Sequence, residues 1–215
     1  KGRIFGGDAH AENAFMRAVD DVRALGAAIR EIDMTPFFET ARLLYEGPWV
    51  AERYEAIRSL ITTNPEALFD VTLKIIDGAS KFSAADAFAA LYRLQALKRR
   101  TQSLWSDMDT LMVPTFPRPR TVADVAADPI GPNSELGVYT NFVNLLDLCA
   151  LAVPVRFRDD GLPNGITLIA PAGHDARIAG IGAALQGRCA MPLGATMAPQ
   201  PTLPGRATPT LPGEI

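Results

Sequence analysis

Tyr45 and Arg53 stand eight residues apart on either side of the dipeptide Gly47-Pro48. A guanidinium can grip a carboxylate through two parallel N–H···O bonds, and a phenol supplies a further donor. The Gly-Pro pair interrupts a helical pattern, and such a break lets side chains before and after it converge on one pocket. Together these residue types suit recognition of a small carboxylate-bearing molecule. A plainer alternative stands beside it: Glu52 and Arg53 as a solvated helix face, with Tyr45 and Trp49 as the edge of a core.

Other chemistry finds less support. A zinc site needs clustered ligands, and the two histidines, His10 and His174, are far apart with no Cys or His at ligand spacing. Gly6-Gly7 and Gly180-Ile181-Gly182 lack the Lys and Ser/Thr of a phosphate loop, so Gly180 and Gly182 read as sites of close helix packing. A Gly-x-Ser-x-Gly elbow is absent. None of the six serines, Ser59, Ser80, Ser83, Ser103, Ser106 and Ser134, has a glycine-rich setting that would build an oxyanion hole. Cys149 lies in an apolar run, where a thiol stays protonated. Its pairing with His174 remains open from sequence alone. Asp107 and Asp109 could be paired carboxylates, or exposed turn positions.

The elements that must position these groups follow from periodicity. Residues 11–25 read as an amphipathic helix ending at Gly26, and 28–32 alternate as a short strand would. Thr35-Pro36 opens a second helix through Leu44, with Thr35 able to cap it. A third helix carries Val50, Tyr54, Ile57 and Ile61 on one face. Asn64-Pro65-Glu66 starts a short helix, and Ser83 with Asp86 caps the longest one, Ala84 to about Ser106. Residues 110–113 read as a buried strand, 114–133 as a Pro-rich irregular connection, and 139–146 as a short helix. A strand pair, 149–155 and 165–170, flanks the turn Asp159-Asp160-Gly161. A last helix spans 175–189. From Met191 the sequence becomes a Pro-punctuated segment without hydrophobic periodicity, a linker by composition.

The 215 residues, 48% hydrophobic, can bury a sizeable core. A net charge of −3 with dispersed cations argues against nucleic acid as a partner. The cluster Lys98-Arg99-Arg100 falls near a helix C-terminus, where cations suit the dipole. Cys149 and Cys189 read as buried free thiols. The N-terminus has no apolar signal core, and the longest apolar run, 148–155, is too short to cross a bilayer. A soluble, cytoplasmic protein is the default expectation.

Four ordered segments carry a resemblance. They are Leu43-Leu44-Tyr45-Glu46-Gly47-Pro48-Trp49-Val50-Ala51-Glu52-Arg53-Tyr54, Phe82-Ser83-Ala84-Ala85-Asp86-Ala87, Tyr139-Thr140-Asn141-Phe142-Val143-Asn144-Leu145-Leu146-Asp147-Leu148-Cys149-Ala150, and Gly161-Leu162-Pro163-Asn164-Gly165-Ile166-Thr167. With them, residues 4–189 resemble the C-terminal half of the amidase domain of allophanate hydrolases, within the amidase signature family.

The resemblance implies an α/β fold: the C-terminal portion of the amidase-signature fold, with helices packed around part of a mixed β-sheet. Residues 1–190 would be that half-domain, and 191–215 a linker toward a further domain. The implied reaction is hydrolysis of allophanate (urea-1-carboxylate) to ammonia and carbon dioxide, with no cofactor and no metal. Its Ser–cis-Ser–Lys core would lie upstream, since none of the four lysines here matches the catalytic one, so no catalytic residue carries over. Tyr45 and Arg53 match the family's clamp on the substrate carboxylate. Tyr139 and Asn141 are weaker candidates for shaping the pocket, against packing and capping roles. A homodimer is implied as well. The alternative function is a non-catalytic partner or scaffold that completes another amidase. Pro117-Arg118-Pro119-Arg120 is more basic than the family pattern suggests.

Overall fold

The computed structural model describes residues 2–194 and 198–200. Most of the expected linker therefore lies outside the described residues. Asp8 starts the first helix, α1 (Ala9–Ala24), by accepting from the Ala11 amide at 3.0 Å. Residues 27–34 form no strand, contrary to the alternation read from the sequence. Ala28, Ile29 and Arg30 are all exposed there, and of the apolar residues in the alternation only Ile32 packs against a core.

Helix α2 (Thr35–Glu46) follows, with Pro36 in its first turn. The oxygen at its start comes from Asp33, which accepts from the Thr35 amide and hydroxyl, and not from Thr35 itself. The expected third helix is two, α3 (Trp49–Ala56) and α4 (Arg58–Thr63), parted at Ile57. A 3₁₀ turn at Pro65–Ala67 leads into α5 (Asp70–Asp77). The Ser83–Asp86 capping box opens α6 (Ala84–Gln102), which tightens to a 3₁₀ turn over Ser103–Ser106.

Strand β1 (Leu111–Pro114) enters a connection that is less irregular than its prolines suggest. It holds α7 (Val122–Ala127), opened by a Thr121–Asp124 capping box, and α8 (Gly131–Leu136). Then come α9 (Phe142–Leu145), β2 (Leu148–Val155), β3 (Asn164–Pro171) and α10 (Asp175–Cys189).

The sheet has the order β1-β3-β2 and is antiparallel throughout. β3 is central, and its side chains alternate between two cores, as a pleated strand requires. Ile166, Leu168 and Ala170 join Phe15, Ala18, Ile178 and Leu185 of α1 and α10. Ile169 joins Phe37, Leu94 and Phe142 of α2, α6 and α9 on the other face. The result is a helix-rich α/β architecture with helices covering both faces of the sheet. Gly182 lets α10 sit close on β2: a Cβ there would come within 2.9 Å of Leu151 and 3.0 Å of Val153. Gly180, paired with it in the sequence reading, faces no such neighbour. No helix among the described residues is long and apolar enough to cross a membrane.

Candidate functional site

The Gly47-Pro48 break does bring its flanking side chains together. α2 ends at Glu46, and the Gly47 amide donates to the Leu43 carbonyl at 3.2 Å. Pro48 then starts α3 at once. Val50, 3% exposed, anchors the new helix in the interior. Across this turn the Arg53 guanidinium carbon lies 4.6 Å from the centroid of the Tyr45 ring.

A cation over an aromatic face at an exposed site contributes roughly 0.5–1 kcal/mol. That is too little to hold two helices together. Burial of the Val50 side chain, on the order of 1.5–3 kcal/mol, is the larger contribution. Tyr45 is 48% exposed, and Arg53 is partly buried. Both polar ends are thus reachable, in contrast to a pair sealed in a core. No ion pair among the described residues engages Arg53. Its five N–H donors remain directed by the ring beneath them and not by a protein carboxylate.

Of the two weaker candidates, Tyr139 takes a packing role and Asn141 makes no cap. Tyr139 is 2% exposed, and its hydroxyl accepts from the Ile4 amide at 2.5 Å and donates to the Ile4 carbonyl at 3.0 Å. Burial pushes its phenol upward. It ties the N-terminal segment to the core through a ring contact with Phe38 at 5.8 Å. Asn141 precedes α9 without a side-chain cap bond, and its amide lies against Gly137.

The remaining residues considered from sequence do not assemble a nucleophile. Ser80, Ser103, Ser106 and Ser134 donate to backbone carbonyls within three or four residues, and Ser83 serves its capping box. Cys149 Sγ and His174 Nδ1 both approach the Pro171 carbonyl, at 3.3 and 3.1 Å, without pairing with each other. Asp107 and Asp109 diverge to Arg30 and Arg177, at 2.7 and 3.1 Å. Among the described residues no group of three or more His, Cys, Asp or Glu could hold a metal.

Three charge clusters escaped the sequence reading. Asp21, 6% exposed, accepts from Arg156 at 2.9 Å and from Arg188 at 2.9 Å, joining α1 to the end of β2 and to α10. The Arg156 hydrogen bond holds its carboxyl below the usual range, outweighing burial, with Arg188 adding to the effect. The signal was present: Asp21 falls on the same helical stripe as Ala14 and Ala18. Arg158 is gripped by Asp8 at 3.0 Å and Asp160 at 2.6 Å. That contact lowers Asp160 to about 2. Arg118 and Arg120 both pair with Glu135, so one of the two positive charges of the Pro-rich connection is balanced there. Burial raises the Glu135 carboxyl, but the two arginines outweigh it and hold it low.

Sequence and fold together place the chain in a family. The family model described as Amidase matches residues 3–179. The chain belongs to the amidase family. It is 50% identical over 157 residues to the urea amidolyase of Saccharomyces cerevisiae, covering 72% of this chain and 9% of that protein. The Kluyveromyces lactis allophanate hydrolase structure superposes with a TM-score of 0.83 at 42% identity, covering 86% of this chain and 31% of that one. The K. lactis urea amidolyase structure gives a TM-score of 0.81 at 43% identity, covering 86% of this chain and 12% of that one. The chain therefore spans under a third of the length of each of these relatives.

Proposed function

We propose that the complete protein is an allophanate hydrolase, converting urea-1-carboxylate to ammonia and carbon dioxide, and that this chain supplies the wall that binds the substrate carboxylate. The observation that carries the reading is the Tyr45–Arg53 stack across the Gly47-Pro48 turn. Its support comes from the names of the relatives, urea amidolyase and allophanate hydrolase.

Allophanate carries a carboxylate at one end and a urea amide at the other. The Arg53 fork holds the carboxylate with two charge-assisted hydrogen bonds, and the Tyr45 hydroxyl donates a third. Holding the charged end orients the distant amide carbonyl for attack. A substrate without the charge leaves Arg53 unpaired in the closed site, which is how a fixed cation selects for anions. The nucleophile comes from residues outside this chain; five of the six serine hydroxyls serve the local hydrogen bonds described above.

Residues 1–190 are read as the C-terminal half of the amidase domain and 191–215 as a connection to another domain. The complete protein is further proposed to be a cytoplasmic homodimer. The test is ammonia release from allophanate. The complete protein is expected to release it, and the 215-residue chain alone is not. Failure of the complete protein to release ammonia overturns the activity. Release by the chain alone overturns the placement of the nucleophile.

A further inference from the structure

Gly47 is the residue on which the Tyr45–Arg53 geometry turns. Its backbone, at φ −107° and ψ −178°, is extended and open to any residue, so backbone conformation does not explain a glycine here. Space does. A Cβ at this position would meet the Leu43 carbonyl oxygen at 2.6 Å, with Leu43 C and Cα both at 3.3 Å. The obstacle is helix backbone, which cannot rotate away as a side-chain tip could. Pro48 adds a second constraint, because the residue before a proline is pushed out of the helical region. α2 must therefore stop at Glu46, and the chain must pass directly over the last turn before α3 begins. That close passage sets how far Arg53 lies from Tyr45.

We propose that Gly47 is a positioning residue that sets the preference of the site for carboxylate-bearing substrates, by holding α2 and α3 close enough for Arg53 to rest on Tyr45. The inference rests on the reading of that pair as the carboxylate clamp. An added methyl must be absorbed by moving residue 47 off the last turn of α2, which carries α3 and its guanidinium along while leaving the charge intact. Displacement of an orienting group by about 1 Å costs up to about a hundredfold.

Two analogues of allophanate, tested as competing ligands of its hydrolysis, separate this effect from general damage. Malonamate has CH₂ in place of the central NH and keeps the carboxylate. Malonamide carries a neutral amide instead. In the complete enzyme, Gly47→Ala is expected to raise the inhibition constant of malonamate about tenfold. The constant for malonamide is expected to stay near wild type, while the thermal midpoint falls by the few degrees that a local clash costs. Equal weakening of both inhibitors, or of neither, overturns the proposal. Arg53→Ala is the control. An unchanged malonamate-to-malonamide ratio in Arg53→Ala removes the clamp itself. A ratio that rises in Arg53→Ala but is unchanged in Gly47→Ala removes only the role of Gly47. If Gly47→Ala does not fold, Pro48→Ala frees the same turn and is expected to raise the ratio about threefold, a smaller displacement of the same kind. An unchanged ratio there also overturns the proposal.

Discussion

The Arg53 guanidinium rests on the face of the Tyr45 ring, 4.6 Å from its centroid, although the two residues lie on different helices. The ring and the hydroxyl of Tyr45 then have separable tasks. Tyr45→Phe keeps the face and removes one donor, so kcat/KM for allophanate should fall roughly tenfold, the worth of one hydrogen bond to a charged group. Tyr45→Leu also removes the platform, adding roughly 0.5–1 kcal/mol. Equal losses in the two variants, measured by steady-state kinetics of the complete enzyme, would assign everything to the hydroxyl.

Asp21 should matter for stability and not for catalysis. Its carboxylate is buried between Arg156 and Arg188, whose own side chains are partly exposed. Losing it leaves two cations that water can still reach, so Asp21→Ala should cost about 2 kcal/mol, below the figure for a fully buried pair. Urea denaturation of the complete amidase domain measures this. A loss under about 0.5 kcal/mol, the range of ordinary surface changes, would contradict the buried arrangement.

Acid should weaken the fold through the same carboxylates. Asp21 and Asp160 have folded pKa values below the ordinary 3.8, with Asp160 at about 2. A depressed folded pKa means that the unfolded chain binds protons first as pH falls. The stabilisation is present above about pH 4 and is lost as pH falls toward 2. Asp160→Asn should flatten the dependence of the unfolding midpoint on pH across that window, while leaving the dependence at neutral pH as it was. An unchanged slope between pH 4 and 2 would rule out this contribution.

Much of the frame was legible in the residues. The 175–189 helix, the Ser83 capping box and the strand pair ending near Val155 and Ala170 carry strong local signals, and the structure keeps them. The Gly47-Pro48 break was legible for the same reason, since glycine and proline act locally. What failed was long-range. The alternation at 28–32 looked like a strand, but pairing is decided by neighbours that no local window contains. The ion pairs of Asp21, and that of Arg158 with Asp8, join residues 135 to 167 positions apart, and only the fold brings them together. Tyr139 was a weaker pocket candidate weighed against a packing role, and the partner that fixes it, Ile4, lies 135 positions away.

The two thiols should differ in reactivity. Cys189 is 3% exposed, and burial together with the neighbouring Asp21 carboxylate pushes its thiol up. Cys149 is only partly buried. Iodoacetamide at pH 8 should therefore label Cys149 first in the native protein, with Cys189 reacting only after unfolding. Mass spectrometry of a labelling time course reads the order, and simultaneous labelling would contradict the packing of α10.

The central claim is that Arg53 holds the substrate carboxylate. Steady-state ammonia release from allophanate by the complete enzyme carrying Arg53→Ala tests it most directly. The expected result is a fall in kcat/KM equivalent to roughly 2–5 kcal/mol, the cost of truncating one side of a desolvated charge pair. Wild-type kcat/KM in that variant would contradict the account and leave the Tyr45–Arg53 stack as a surface contact.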